Sequence, residues 1–283
     1  MARYGLVCDI GRCCGCYACF LSCRDEFSGK DHFPTAAAQE DGQLWMNIEE
    51  IEYGEGSKVK VDYFPKMCQH CEDPACAKGA PEGAVYKRGD GIVIIDPVKA
   101  KGAKGIVGSC PYGAIYWSEA KSLPQKCTLC AHMIDEGEHT VRCAECCPTG
   151  ALVFGDLDDP YSEASRALRD KAELVEVWAP ENGTKPGCRY IDMPKPFIAG
   201  EAAYEDEPGE PAKGVSVTLT DESGKESLCA ADCFGDFEFK KLEKGRKYTI
   251  RIEAAGYQTV TREVDLNKSV NLRTIVLSPC VDV

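Results

Sequence analysis

The stretch Cys13-Cys14-Gly15-Cys16-Tyr17-Ala18-Cys19-Phe20-Leu21-Ser22-Cys23 decides how this chain is read. Its cysteines at 13, 16, 19 and 23 follow the C-x2-C-x2-C-x3-C spacing, in which three thiolates reach one iron-sulfur cluster and the fourth reaches another. Such a run is incomplete by itself, because each cluster still lacks ligands. The complement stands far along the chain as Cys127-x2-Cys130-x12-Cys143-x3-Cys147-Pro148. Exchange of the fourth cysteines builds two four-thiolate sites, one of Cys13, Cys16, Cys19 and Cys147, the other of Cys127, Cys130, Cys143 and Cys23.

Between these groups lie Cys68-x2-Cys71-x4-Cys76 and the later Cys110-Pro111, which together supply a third set of four. The same exchange rule asks for a partner site with ligands at positions 80, 100, 103 and 106. Those positions hold Ala80, Ala100, Ala103 and Ile106. Every ligand of one site is apolar and no ligand of another is lost, although the positions come from two distant segments. Complete replacement lets the volume pack as ordinary core, whereas partial loss would strand buried thiolates. The expectation is three 4Fe-4S clusters and one erased site.

Other uses of the 19 cysteines fit less well. A disulfide framework suits small secreted domains, and these cysteines sit too close together for one. Zinc would use Cys68-x2-Cys71 or Cys127-x2-Cys130 but gives no reason for the three-cysteine runs or the Cys-Pro endings. Cys8 reads as a small buried hydrophobe. Cys14 and Cys146 adjoin ligands out of register, with Cys146 left open as an alternative to Cys147. Cys229 and Cys233 read as two free thiols on one face of a strand. His70, His132 and His139 read as solvated or loop-satisfied, and Trp45, Trp117 and Trp178 as core or interface anchors.

Composition narrows the class. A hydrophobic share of 44% and a charged share of 28% are ordinary for a globular protein. No stretch approaches the roughly 18 apolar residues of a membrane span. The opening residues show no apolar export segment, so a cytoplasmic location is expected. A net charge of -13 opposes binding to phosphate backbones, so nucleic acid is not an expected partner.

The cysteine-rich part, residues 1–155, reads as one unit with a long insertion at 24–67. Pro111-Tyr-Gly-Ala-Ile-Tyr116 echoes Pro148-Thr-Gly-Ala-Leu-Val153, a mark of internal duplication. Residues 156–200 begin with an expected helix from Ser162 to Trp178. They then turn irregular around Pro180, Pro186, Pro194 and Pro196, which reads as an extended arm. Residues 201–283 carry short alternating strands, Val215 to Thr220, Phe237 to Phe239, Tyr248 to Glu253 and Val270 to Leu277, separated by Gly- and Asp-rich turns. These predict an all-β sandwich.

With its four cysteine groups, residues 1–155 resemble the iron-sulfur subunits of the dimethyl-sulfoxide-reductase family of molybdenum enzymes. Gly83-Ala-Val-Tyr, Asp90-Gly-Ile-Val-Ile-Ile-Asp-Pro and Gln125-Lys-Cys-Thr-Leu-Cys-Ala-His are most similar to its transhydroxylase branch, which acts on polyhydroxylated aromatics. Cys143-Ala-Glu-Cys-Cys-Pro148 keeps more of the general reductase pattern, as a related dehydroxylase would. Gly214-Val-Ser-Val-Thr-Leu, Phe234-Gly-Asp-Phe-Glu-Phe and Gly256-Tyr257 resemble the carboxypeptidase regulatory-like, transthyretin-like sandwich.

The resemblance implies an α+β fold, a duplicated bacterial-ferredoxin-type domain followed by that sandwich. It implies a large catalytic partner holding a molybdenum bis-pterin cofactor, in a heterodimer or a multimer of it, with no catalytic residue in this chain. The alternatives are the electron-transfer subunit of another molybdenum or tungsten reductase, acting on arsenate or a sulfur compound, and a free-standing polyferredoxin.

Overall fold

A computed structural model describes residues 2–280, which form two compact units. Within the described residues, the first comprises residues 2–50 and 62–193, the second residues 51–61 and 194–280. The hairpin of strands Met46–Glu55 and Lys58–Met67 therefore starts and ends in the first unit, while its tip belongs to the second. The expected insertion at 24–67 is thus not one body. Its first residues complete the helix Ala18–Phe27, and Trp45 is buried against Phe27.

The first unit is organised by one ladder. The buried apolar strand Tyr4–Asp9 pairs antiparallel with Leu152–Asp156, in the register Cys8↔Leu152, and parallel with Arg189–Ile191. This ladder ties residues either side of the whole cysteine-rich segment together, so Cys13 and Cys147 emerge at the same end. Two small hairpins, Val85–Lys87 with Val93–Ile95 and Tyr116–Ser118 with Leu123–Gln125, frame the middle cysteines.

Residues 156–200 do not form an extended arm. The helix is short, Glu163–Asp170, capped by the Ser162 side chain accepting from Ser165 N–H at 3.0 Å. Its Ala164, Ala167 and Leu168 pack on Val7, Val153 and Ile191. The polypeptide then continues through Val175–Glu176 and Arg189–Ile191 into the same sheet. The prolines bend this segment without freeing it, because its apolar residues have a sheet to cover.

The second unit is all-β. A three-stranded sheet orders Asp236–Phe239, Ile198–Tyr204 and Val270–Leu277, and a four-stranded sheet orders Glu226–Ala230, Ser216–Asp221, Arg246–Glu253 and Val260–Leu266. Alternate residues of both sheets, among them Val217, Ile250, Phe237 and Leu277, share one core. The first strand starts at Ile198, slightly ahead of the expected boundary at 201. Cys229 lies on the strand Glu226–Ala230, but Cys233 lies beyond it in an exposed turn, so the two do not share a strand face. No described helix is long and apolar enough to cross a membrane.

Candidate metal centre

Every described cysteine is a free thiol, and most of those in the first unit gather at three foci, Cys8 and Cys188 standing apart. At the first, Cys13, Cys16, Cys19 and Cys147 line one cavity roofed by Ile48 and Pro65. Cys14 also borders it, but Cys146 does not; the Cys146 thiol pairs instead with the Ser22 hydroxyl at 3.0 Å.

The second focus forms where the helix Ala18–Phe27 packs against the short helix Arg142–Glu145. Burial pushes the Cys143 thiol well above its usual value, and the nearby Cys130, Cys127 and Cys23 add to it. Burial likewise raises Cys23 well above that value, with Cys127 and Cys130 adding their repulsion.

At the third, Cys76 is pushed up to about 11 by burial, with Cys68, Cys110 and Cys71 contributing repulsion. Burial takes Cys71 to about 11 as well, again with Cys68 and Cys110 as neighbours.

The loops that present these thiols are copies of one another. In the first C-x2-C loop of each group the third residue takes a left-handed conformation, Gly15 at φ 66°, His70 at φ 44° and Leu129 at φ 53°. That turn aims a backbone N–H back at the first sulfur. His70 N–H donates to Cys68 Sγ at 3.5 Å, Leu129 N–H to Cys127 Sγ at 3.3 Å, and Gly15 N–H to Cys13. Only at Gly15 is the residue type also dictated by space, since a Cβ there would stand 2.4 Å from the Tyr63 ring.

The two Cys-Pro turns match in the same way. Gly113 N–H donates to Cys110 O at 3.1 Å and Gly150 N–H to Cys147 O at 3.2 Å, both glycines having positive φ. Around Cys147, burial is outweighed by N–H groups of Leu152, Ala151 and Thr149 and by the Thr149 hydroxyl, so the thiol sits below its ordinary value. Hydrogen bonds to sulfur of this kind are what stabilise anionic cluster ligands.

These foci fit iron-sulfur clusters and not single ions. Clustered buried thiolates repel one another and are tenable only around a cation core. Yet no three cysteine sulfurs among the described residues lie within 4.8 Å of each other. A zinc ion, with four ligands about 2.3 Å from one centre, requires closer approach. A four-iron cube holds its thiolates at wider corners.

The positions Ala80, Ala100, Ala103 and Ile106 also come together. All four belong to one apolar cluster with Ala84, Val93 and Ile115, in which Ala100 and Ile106 are fully buried.

Three features escaped the reading of the sequence. His70 is buried, its Nδ1 accepting from Val93 N–H at 3.1 Å, so it is neither solvated nor on a loose loop. His132 stacks on His32 at 3.7 Å, and its Nε2 lies 3.0 Å from Glu26 Oε1. Arg142 Nε holds the other oxygen of Glu26 at 2.6 Å, so the carboxylate already has its cation and the group reads as a lock between helices. Lys126 is buried as well, at 2% exposure. Its place directly before Cys127 was the one signal available. His139 is exposed, as expected.

The comparisons agree with this geometry. Residues 59–157 match the 4Fe-4S dicluster domain family, and residues 205–278 match the carboxypeptidase regulatory-like domain. The sequence is 37% identical to the pyrogallol hydroxytransferase small subunit of Pelobacter acidigallici, over 98% of this chain and 100% of that one. It is 34% identical to a subunit of the sulfite dehydrogenase of Allochromatium vinosum, over 81% and 98%. It is 36% identical to a subunit of the anaerobic dimethyl sulfoxide reductase of Escherichia coli, over 56% and 75%. With its thiol foci, its duplicated loops and these relatives, this protein belongs to the 4Fe-4S electron-transfer subunits of the dimethyl-sulfoxide-reductase family of molybdenum enzymes.

Proposed function

We propose that this chain holds three 4Fe-4S clusters and serves a separate molybdenum bis-pterin subunit that acts on polyhydroxylated aromatics. The ligand sets are Cys13, Cys16, Cys19 and Cys147; Cys127, Cys130, Cys143 and Cys23; and Cys68, Cys71, Cys76 and Cys110. The observation that carries the reading is the contrast between these sets and Ala80, Ala100, Ala103 and Ile106, which pack as one apolar cluster. Four thiolates would not survive in that volume without iron, and four apolar side chains leave no ligand for it.

Bound at the three foci, clusters supply one-electron exchange without bond changes. The chain's own part is to bury the thiols, to fix them with backbone N–H groups and to keep water away. Of the proposed ligands only Cys16, in the first set, is exposed, which supports the first set as the point of exchange with the partner. Substrate chemistry belongs to that partner. The aromatic substrate class is supported by the relative that matches the chain from end to end.

A second reading keeps the clusters but changes the substrate to an inorganic sulfur compound. It is favoured by the match to the sulfite dehydrogenase and by the 31% identity to a subunit of the tetrathionate reductase of Salmonella typhimurium.

Anoxic affinity purification from the native host, with metal and acid-labile sulfide analysis, tests both. A large partner, molybdenum and about twelve irons per chain are expected, with turnover of trihydroxybenzenes. About sixteen irons would reject the three-cluster count. Turnover of sulfite or tetrathionate without action on phenols would replace the first reading by the second.

A further inference from the structure

Lys126 is a buried ammonium without a carboxylate partner. Only backbone carbonyls receive its Nζ: that of Val93, and that of Cys127 at 3.0 Å. Among the described residues it makes no ion pair, which is unusual, because burying an uncompensated charge is costly. Its neighbours explain why it is tolerated. Its Nζ is held against the carbonyl of Val93, which packs in one cluster with Cys76 and Cys110, and against the carbonyl of Cys127. Two of these cysteines belong to the third ligand set and one to the second. Of these, Cys76 lies on the helix Ala75–Lys78 and Cys110 opens the Cys110-Pro111 turn. The strand Leu123–Gln125, whose residues are all buried, leads directly into the lysine.

A four-thiolate cluster is an anion that gains one further negative charge with each electron accepted. A fixed cation in a dry setting favours the more negative form and raises the reduction potential. Other levers on potential, hydrogen bonds to sulfur and burial, are shared by all three foci. The ammonium is not, since Lys126 is not among the residues lining the cavity of the first set.

We propose that Lys126 is a potential-setting residue, a buried countercharge that makes the third cluster, and to a lesser degree the second, easier to reduce than the first. This rests on the ligand sets proposed above. It makes the direction of electron travel a property of one side chain, drawing electrons inward from the exposed first set.

The test is an EPR-monitored redox titration of the anoxically purified complex carrying Lys126→Met or Lys126→Arg, with iron counted in each sample. The iron count examines the ligand reading, and the potentials examine the inference. With full iron, Lys126→Met is expected to lower one or two of the three midpoints by at least tenfold in the reduction equilibrium, about 59 mV for one electron, with Lys126→Arg restoring them. Loss of cluster iron in Lys126→Met, with retention at wild-type midpoints in Lys126→Arg, would also show that the charge is required. Unchanged midpoints in Lys126→Met, an equal shift of all three, or loss of iron in both variants would overturn the proposal.

Discussion

Two neighbouring parts of the first unit solve one problem in opposite ways. Around Cys68, Cys71, Cys76 and Cys110, buried thiols crowd together and are held by backbone N–H groups. Beside them, Ala80, Ala100, Ala103 and Ile106 fill their space with methyl and methylene groups. The two parts even share members, because Cys76 and Cys110 border the apolar cluster. On the proposed ligand sets, one part keeps four thiols and the other replaces all four by core, so neither strands a buried thiol without iron.

The comparison breaks most visibly if one ligand is removed. Cys110→Ala should cost about four of about twelve irons, leaving the other foci loaded, and iron analysis with EPR would reveal it. Retention of all iron would remove Cys110 from the ligand set. The apolar side should respond through stability instead. Ile106→Ala should keep its iron but lose about 2–5 kcal/mol through the cavity left behind, measured by anoxic chemical unfolding. Loss of iron without loss of stability would mean that this volume serves a cluster after all.

The smallest effect concerns the helix lock near the second focus. Burial pushes Glu26 up, but hydrogen bonds from Arg142 and His132 outweigh it and hold the carboxyl below its ordinary range. A depressed folded-state pKa contributes stability above the unfolded value, about 4.3 for Glu, and that contribution fades as the pH falls through the folded value. Glu26→Gln should therefore flatten the acid limb of the stability profile while leaving neutral iron content unchanged. An unaltered acid limb would show that the lock contributes nothing.

Much of this was legible because cysteine spacing is a covalent constraint. The runs beginning at Cys13 and Cys127 state their crossover in the sequence itself, and the structure brings Cys147 beside Cys13 and Cys23 beside Cys143. The sandwich strands were equally plain in their alternation. The segment after residue 156 was not, because proline density suggested an arm. Its strand Arg189–Ile191 is too short for any periodicity to declare it, and only pairing with Tyr4–Asp9 and Val175–Glu176 makes it one.

The loop conformations were half visible. Gly15 announces a left-handed position, whereas His70 and Leu129 take the same conformation with side chains that carry no such signal. Lys126 was hidden by the usual expectation that lysine faces water. Nothing short of the fold shows that its four-carbon stem runs inward.

The ladder between Tyr4–Asp9 and Leu152–Asp156 also sets a timetable for biogenesis. On the proposed ligand sets, Cys13, Cys16 and Cys19 must wait for Cys147, an interval on the order of ten seconds at the usual pace of synthesis. Cys68 through Cys110 lie within one continuous stretch and are complete long before. The middle set is thus the first whose four thiols have all been made, and the N-terminal thiols wait longest for their fourth.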